Sequence, residues 1–347
     1  MNLIENDKNN MLDVLKNFPE QVREACKIGE QLVDIDNTKS DKILVLGMGG
    51  SAIGGDLLRN YLSNLKGGKH IQIIINRDYS IPEYINNDWL VIVSSYSGNT
   101  EETLSAFNLA LDLTKNIIGI TTGGKLEQML NLKNLPVIKL PGGLQPRAAI
   151  GYSFFPMLYL LMLNGTIKND GVEEIAKSIN KLIPHLEEKS KSYSIEDEYN
   201  NAYIIARNIF KRIPLIYSST KYEVVNLRWR GQFQENSNIP SFGNILPEMN
   251  HNEINCLDSE LLGNFYSIII KDNDENERIE KRFQFLIDLF KSNDRKYAEI
   301  NPENTYTLTK YFELIYLGDW ISYWVALMRG EDPTEIKNIM NLKEYMA

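Results

Sequence analysis

Cysteine is scarce in this sequence. The 347 residues include two, Cys26 and Cys256, which lie far apart along the chain. Two thiols cannot build a disulfide framework, and by themselves they cannot supply the ligands of a structural zinc site. Their scarcity therefore excludes the disulfide-rich secreted class and predicts a cytoplasmic location, where thiols stay reduced.

Positive charge is in deficit. Lysine and arginine total 37 residues against 46 aspartates and glutamates, so the formal net charge is −9 at pH 7. Proteins that hold nucleic acid through phosphate contacts usually carry an excess of basic residues. We therefore expect no nucleic-acid partner. An anionic ligand must be held by local geometry rather than by a positive surface field.

Long hydrophobic segments are also missing. The most apolar stretches, 153–163 and 311–328, are interrupted by proline, glycine or acidic residues. Neither reaches the roughly 20 apolar residues that a membrane span requires. The first ten residues are polar, with no basic segment leading into an apolar one, so the sequence predicts neither a signal peptide nor a membrane partner.

What the chain does have is short apolar runs that alternate with amphipathic stretches in both halves. Such alternation predicts an α/β fold, with parallel sheets covered by helices on both faces. The predicted strands are 42–46, 71–75, 90–94, 116–121 and 136–140 in the first half and 213–217, 265–270 and 297–300 in the second. Residues 8–34 predict one or two helices interrupted at Pro19. The predicted domains are an N-terminal helical segment (1–35), a first α/β subdomain (36–165) and a second with C-terminal helices (166–347).

The first segment that suggests chemistry is 47–56, Gly-Met-Gly-Gly-Ser-Ala-Ile-Gly-Gly-Asp. It follows a predicted strand and opens a helix, where glycines let a ligand approach the backbone and free N–H groups attract an anion. The spacing Gly47-x-Gly49-x-x-Ala52 also fits a loose dinucleotide-binding pattern. The acidic residue that this pattern requires after the second strand comes late, as Asp78 beside Arg77. A nicotinamide-dependent oxidoreductase and a purely structural glycine turn remain open as alternatives.

A second segment, 94–103, has the sequence Ser-Ser-Tyr-Ser-Gly-Asn-Thr-Glu-Glu-Thr. Ser95, Ser97 and Thr100 place three hydroxyls around a Gly-Asn pair at the start of a helix, which suits a phosphate. The structural alternative is a helix with Thr100 as its N-cap, which explains one or two of the hydroxyls. Neither segment has the Gly-Lys-Ser/Thr of a P-loop, so we do not expect nucleoside triphosphate hydrolysis. Both follow parallel strands, so the sequence predicts that they meet in one crevice.

Two residues further along are candidates for acid–base chemistry. Glu235 lies at the end of a predicted helix beside Asn236, where a solvated glutamate is the alternative interpretation. His251 is the one histidine in a turn-rich polar loop, 250–253. A metal site built on His251 and Glu253 is another alternative, although one histidine makes a poor ligand set.

These motifs, in their order along the chain, resemble a known family. Residues 95–103 are similar to the phosphosugar loop of sugar isomerase (SIS) domains. The full set resembles the bifunctional phosphoglucose/phosphomannose isomerases best known from archaea, from about residue 20 to the C-terminus. The matching motifs are Gly47–Gly55, Gln145-Pro146-Arg147-Ala148-Ala149, Gln234-Glu235-Asn236, the segment 247–253 and Leu342-Lys343.

The resemblance implies a fold and a reaction. The fold is two SIS-type subdomains, each a flavodoxin-like parallel sheet between helices. The reaction is the reversible conversion of glucose 6-phosphate and mannose 6-phosphate to fructose 6-phosphate. It proceeds by proton transfer through an enediol, with no metal and no cofactor. A family threonine and proline give tolerance of both epimers, and the sequence assigns this role to neither Thr334 nor Pro146.

The resemblance also implies residue roles. Glu235 shuttles the proton, Arg147 stabilises the enediolate, and His251 and Lys343 open the sugar ring. His251 comes from the partner subunit, which implies a homodimer. The phosphate is held by Ser51, Ser95, Ser97 and Thr100, with Gly49 and Gly50 allowing close approach.

A non-catalytic phosphosugar-binding regulator is the main rival function, because SIS domains also serve in transcription regulators. That class predicts a helix-turn-helix with a basic face. The segment of the first 40 residues is too short and too acidic for such a motif, which disfavours the regulator. Glucosamine 6-phosphate synthase is disfavoured because the sequence does not begin with a glutaminase and its leading cysteine.

Overall fold

The computed structural model describes residues 3–33 and 38–346. These residues form two compact units. The first unit runs from Asn17 to Pro184, and the second combines the residues up to Lys16 with those from His185 onward. Within the described ranges, no helix is both long enough and apolar enough to cross a membrane.

Strands and helices alternate in both units. The helices are α1 (Met11–Lys16), α2 (Phe18–Glu30), α3 (Gly49–Asn64), α4 (Glu101–Ala110), α5 (Gly124–Leu132), α6 (Ile150–Leu163), α7 (Asn169–Tyr193), α8 (Asn201–Ile209), α9 (Glu223–Asn236), α10 (Glu277–Ser292), α11 (Thr307–Arg329) and α12 (Lys337–Met346). The strands are β1 (Lys42–Leu46), β2 (Gln72–Asn76), β3 (Trp89–Ser94), β4 (Ile117–Thr121), β5 (Val137–Lys139), β6 (Ile213–Ser219), β7 (Phe242–Leu246), β8 (Phe265–Ile270) and β9 (Tyr297–Ile300).

The first unit contains a five-stranded parallel sheet in the order β2-β1-β3-β4-β5. This is the flavodoxin-like order, and it confirms the fold predicted for this half. Strands β3 and β4 are buried along their whole length, which explains why their sequences are apolar runs rather than alternating patterns. Each of the five predicted strands agrees with the structure to within one residue at either end.

The second unit contains a four-stranded parallel sheet in the order β7-β6-β8-β9. Three of its strands were predicted, but the edge strand β7 was not. Its sequence, Phe-Gly-Asn-Ile-Leu, combines two poor strand formers with a proline close to either end. Gly243 is required there because a Cβ atom would lie 2.4 Å from the carbonyl oxygen of Ile216 on β6.

The limits of the compact units differ from the domain limits predicted from the sequence. Residues 166–184 remain with the first unit, because Thr166 Oγ1 donates to the carbonyl of Ser40 and the N–H of Lys168 donates to Gly67. The polar stretch 165–170 is therefore a turn within that unit, and the division falls inside α7. The predicted N-terminal segment also divides, at Lys16. Its limit at residues 35 and 36, and the last predicted helical residue, 34, lie outside the described residues.

Candidate active site

The glycine loop (residues 47–56) and the serine loop (residues 94–103) lie side by side at the carboxyl ends of the strands of the first sheet. They follow β1 and β3, which are hydrogen-bonded neighbours. The N–H of Tyr96 donates to Ser51 Oγ at 3.1 Å, which joins the two loops directly. Ser51 is buried at this junction. The structure therefore brings the two predicted phosphate-binding loops together.

The serine loop holds its hydroxyls near the start of α4. Ser95 Oγ and Thr100 Oγ1 are hydrogen-bonded at 3.0 Å, and Ser97 Oγ accepts from the N–H of Asn99 at 3.3 Å. Thr100 occupies the N-cap position of α4, but its hydroxyl bonds to Ser95 rather than to the backbone of the helix. The capping role that was the alternative explanation for Thr100 is therefore not what its side chain does.

Gly98 fixes the shape of this loop. Its φ is +68°, a region that favours glycine, and an added Cβ atom would lie 1.7 Å from the carbonyl oxygen of Gly123. Asn99 Oδ1 accepts from the N–H of Lys125 at 3.1 Å, in the first turn of α5. The Gly-Asn pair thus anchors the loop to the neighbouring strand–helix connection and leaves Ser97 exposed.

The two glycines at the start of α3 have different surroundings. Gly49 has a φ of +49°, and open space surrounds the position of its missing Cβ in the described residues. At Gly50, a Cβ atom would lie 2.3 Å from the carbonyl oxygen of Pro146. Gly50 therefore admits a neighbouring segment of chain, whereas the space beside Gly49 is open to a ligand.

The segment that Gly50 admits carries Arg147. This residue lies in a short 3-10 turn, Pro146–Ala148, and is 4% exposed. Its backbone nitrogen would be 3.1 Å from a Cβ atom at Gly50. A buried guanidinium beside an anion-binding loop interacts with charge more strongly than an exposed one, because less water screens it. The structure thus places the predicted enediolate-stabilising residue next to the predicted phosphate loops.

Glu235 lies in the second unit, one residue before the end of α9, and is half-buried. Helix α9 is fixed against α11 by buried polar contacts. Arg228 and Gln232 both bond to Asp319, at 2.8 Å each, and Asn236 Nδ2 donates to Ser322 Oγ at 3.0 Å. The last turn of α9 is therefore held in place, and the backbone position of Glu235 with it.

His251 is exposed in a 3-10 turn, Glu248–His251, that follows β7. Its neighbour Glu253 is occupied by other groups. Tyr217 Oη donates to Glu253 Oε1 at 2.6 Å, and Asn244 Nδ2 donates to Oε2 at 2.8 Å. Glu253 thus braces the loop that carries His251. The described part of the chain contains no group of three or more histidine, cysteine, aspartate or glutamate side chains that could hold a metal ion. The alternative of a metal site therefore has no support there.

Glu235 and His251 belong to segments at opposite ends of strand β7 in the second sheet. Helix α9 leaves the carboxyl end of β6 and returns to the start of the parallel strand β7. Gln234 Nε2 donates to the carbonyl of Ser241, just before β7, at 3.1 Å. The 3-10 turn with His251 comes after β7, whose five residues span roughly 17 Å. The end of α9 and the turn with His251 therefore lie at opposite ends of β7.

Lys343 lies on α12, where every residue is exposed. Thr334, in the connection before α12, donates its backbone N–H to Asp332 at 2.9 Å. Nothing in this arrangement assigns a function to either residue. Their predicted roles remain predictions.

The family model of the bacterial phospho-glucose isomerase C-terminal SIS domain matches residues 198–346. A bifunctional phosphoglucose/phosphomannose isomerase of Caldicellulosiruptor bescii is 40% identical over 344 residues, which covers 97% of this chain and 99% of that protein. The chain belongs to the bifunctional phosphoglucose/phosphomannose isomerase family.

Other similarities agree with this assignment. A family member from Thermoplasma acidophilum is 34% identical over 308 residues, covering 88% of this chain and 89% of its own. The solved structure of a candidate phosphosugar isomerase from Clostridium difficile 630 superposes with a TM-score of 0.72 at 19% identity. That similarity covers 96% of this chain and 97% of the other. At this identity it shows the fold alone, an α/β protein with two SIS-type sheets.

In this member of the isomerase family, the loop after β6 has different surroundings from the serine loop after β3. The sequence Ser218-Ser219-Thr220 at the end of β6 echoes the serine loop, but carboxylates lie close to it. Ser219 Oγ donates to Glu275, and Lys221 and Lys310 bond to Asp272 at 2.6 and 2.8 Å. The carboxylates of Glu275 and Asp272 thus lie at the carboxyl ends of the strands of this sheet. Their negative charge disfavours a bound phosphate there.

The carboxylate of Asp272 is strongly held. Burial alone would raise its pKa, but hydrogen bonds from Lys221, Lys310 and Tyr222 outweigh burial and lower the pKa from 3.8 to about 2. Sequence reasoning identified none of these residues. The acidic run at 272–275 between a strand and a helix was the signal that could have indicated them.

Proposed function

We propose that this protein converts glucose 6-phosphate and mannose 6-phosphate reversibly to fructose 6-phosphate by proton transfer through an enediol. The observation that supports this most is the cluster at the carboxyl edge of the first sheet. There, two joined hydroxyl-bearing loops lie beside a buried arginine. The relative from Caldicellulosiruptor bescii, named for both isomerase activities, aligns with nearly the whole chain.

The phosphate binds to the two loops. Ser51, Ser95, Ser97 and Thr100 supply hydroxyls, and the N-terminus of α4 supplies backbone N–H groups and a favourable dipole. The open space beside Gly49 lets the phosphate approach the backbone. This arrangement needs no lysine, which fits the acidic composition of the chain.

The chemistry requires one base and one fixed cation. Glu235 removes the proton from C2 of the open-chain aldose, the electrons of that C–H bond form the C1–C2 double bond, and the C1 carbonyl electrons move to O1. The proton of the C2 hydroxyl passes to O1, Glu235 returns its proton to C1, and the C2 oxygen becomes the ketone. Arg147 stabilises the negative charge that develops on the enediolate oxygens. Glucose and mannose 6-phosphate differ only at C2, so both give the same enediol after rotation about C2–C3.

Ring opening precedes this step. His251 and Lys343 move a proton between the C1 hydroxyl and the ring oxygen. Because Glu235 and His251 belong to segments at opposite ends of β7, we propose that His251 is supplied by a second copy of the chain, in a cytoplasmic homodimer. The half-buried position of Glu235 and the exposed position of His251 in its 3-10 turn support that division of roles.

A turnover assay tests the proposal. The purified protein is treated with EDTA, given either hexose 6-phosphate, and assayed for fructose 6-phosphate. Activity on both substrates is the expected result, since the chain's own side chains supply every group in the scheme. Activity on glucose 6-phosphate alone would contradict the mannose part. A folded protein that binds phosphosugar and turns over neither substrate would be a regulator instead.

A further inference from the structure

We infer that Tyr96 and Gln21 are positioning residues that hold the turn carrying Arg147 in register with the phosphate loops. The inference rests on the proposed function, because it assigns these residues a part in placing the enediolate-stabilising cation. The proposed reaction gives neither residue a role in bond making. Both are buried, at 7% and 5% exposure.

Tyr96 joins the loops at the carboxyl edge of the first sheet. Its N–H donates to Ser51 Oγ, and its carbonyl accepts from the N–H and hydroxyl of Thr122 at 3.0 and 2.8 Å. Its phenol then reaches the chain leading to Arg147. It donates to the carbonyl of Pro141 at 2.8 Å and accepts from the N–H of Leu144 at 3.3 Å. One side chain therefore links the serine loop to the segment before the catalytic turn.

Gln21 holds the other side of the same turn. From α2, its Nε2 donates to the carbonyl of Ala148 at 2.8 Å, and its Oε1 accepts from the N–H of Gly151 at 2.9 Å. The fit is close, since a Cβ atom at Gly151 would lie 2.8 Å from that oxygen. The two side chains thus fasten the backbone before and after Arg147.

This support matters because the chain around Arg147 has little regular structure of its own. Residues 140–145 belong to neither a helix nor a strand, and the arginine sits in a 3-10 turn of three residues. The backbone of that turn also contacts Gly50. Charge stabilisation in a transition state depends steeply on geometry, and a displacement of about 1 Å can cost roughly 100-fold in rate. Loosening the turn should therefore weaken enediolate stabilisation more than phosphate binding.

The test uses Tyr96→Phe in the full chain, with Tyr159→Phe as a matched control. Tyr159 is also a buried phenol, and it donates to Glu30 at 3.2 Å, between α6 and α2. We expect Tyr96→Phe to lower kcat about 10-fold, with KM within about twofold of the parent. Tyr159→Phe should leave both constants nearly unchanged. Gln21→Leu should resemble Tyr96→Phe.

A binding measurement separates positioning from general stability. The probes are inorganic phosphate and a phosphorylated hydroxamate whose planar anionic end resembles the enediolate, titrated by calorimetry. Tyr96→Phe should weaken the hydroxamate about 10-fold and phosphate less than about twofold, and in an Arg147→Ala background it should weaken the hydroxamate no further. Additive losses in that background, or equal losses for both probes, would overturn the inference. An inactive parent protein would instead overturn the proposed function, and the inference with it.

Discussion

At the scale of a single residue, the hydrogen bonding of the Thr100 hydroxyl bears on whether this side chain caps α4 or binds phosphate. It is hydrogen-bonded to Ser95 Oγ and makes no side-chain bond to the backbone of α4 in the described structure. A capping threonine would be bonded to that backbone, and its loss would chiefly destabilise the fold. A ligand-binding threonine has its effect on substrate affinity.

Thr100→Ala should therefore raise KM about 10-fold for both substrates, because a hydrogen bond to a charged phosphate is lost. The free energy of unfolding should fall by less than about 1 kcal/mol. Steady-state kinetics and urea unfolding measure the two effects. Ser105→Ala, on the same helix with its hydroxyl bonded to Tyr79, is the control and should leave KM unchanged. An unchanged KM with a clear loss of stability would return Thr100 to a capping role.

The sequence predicts a phosphate-binding role for the hydroxyls of the serine loop, and that role stays a prediction. It could not indicate that the two glycines at the start of α3 have different surroundings. Gly49 and Gly50 looked equivalent, as sites of ligand approach. The structure shows that Gly50 accommodates Pro146, almost 100 residues away in sequence. A contact of that kind depends on how distant segments pack, and no local pattern carries it.

At the scale of elements, the end of α9 depends on its contact with α11. Ser322 is completely buried, accepts from Asn236 and also donates to the carbonyl of Asp319. Its own carbonyl accepts from Ser237 Oγ at 2.7 Å. Because Glu235 precedes Asn236, the Ser322 hydroxyl supports the turn that carries the proposed base.

Ser322→Ala should lower the free energy of unfolding by about 1–3 kcal/mol, since a buried amide loses its acceptor. It should also lower kcat by loosening the end of α9. Ser292→Ala is the matched control, because Ser292 at the end of α10 makes the same local bond to a carbonyl three residues earlier but is exposed. Urea unfolding of both variants measures the difference. Equal losses in the two variants would show that the contact with α9 contributes nothing.

The carboxyl group of Asp272, in the second unit, should affect the stability of the protein in acid. The folded-state pKa of Asp272 is depressed, so its contribution to stability is complete above the ordinary value of 3.8. That contribution is lost as the pH falls toward about 2. Its magnitude is about 2 kcal/mol. The difference in unfolding free energy between the parent and Asp272→Asn should therefore shrink between pH 4 and pH 2. Asp274→Asn, which alters a largely exposed partner of Lys310, should show a smaller effect. A difference that does not change with pH would contradict the depressed pKa.

Eight of the nine strands in the described residues could be predicted, because buried parallel strands are continuous apolar runs. Strand β7 could not, because an edge strand with Gly243 and Asn244 has neither an apolar run nor clear alternation. Its position matters for function, since it separates Glu235 from His251. The strand that the sequence did not reveal is thus the one on which the proposal of a shared site depends.

At the scale of the whole molecule, a site shared between two chains predicts complementation. Glu235→Gln and His251→Ala, each inactive alone, are co-expressed with different tags, and the mixed dimer is purified. The purified mixed dimer retains one of its two sites with both residues intact, so it should recover about half of the parent activity. A mixture of Glu235→Gln with Glu235→Ala is the control and should recover nothing. Purified mixed dimers without activity would mean that His251 is not donated by the partner.

The domain limits show what sequence patterning misses at this scale. The polar stretch 165–170 resembles a linker, but the hydrogen bonds of Thr166 and Lys168 keep the chain within the first unit. Residues 3–16 join the second unit because, for example, Tyr316 donates to the carbonyl of Leu15 at 2.7 Å. Such long-range contacts leave no periodic trace in the sequence.

The central claim, proton transfer by Glu235, is tested most directly by solvent exchange. The EDTA-treated protein is incubated in deuterated water with glucose or mannose 6-phosphate, and deuterium at C2 of the aldose and C1 of the ketose is followed by NMR. We predict deuterium at both carbons with the parent protein. Glu235→Gln should still bind phosphosugar but exchange neither carbon, and Glu223→Gln, at the other end of α9, should exchange both. Exchange by Glu235→Gln at the parent rate would contradict the account.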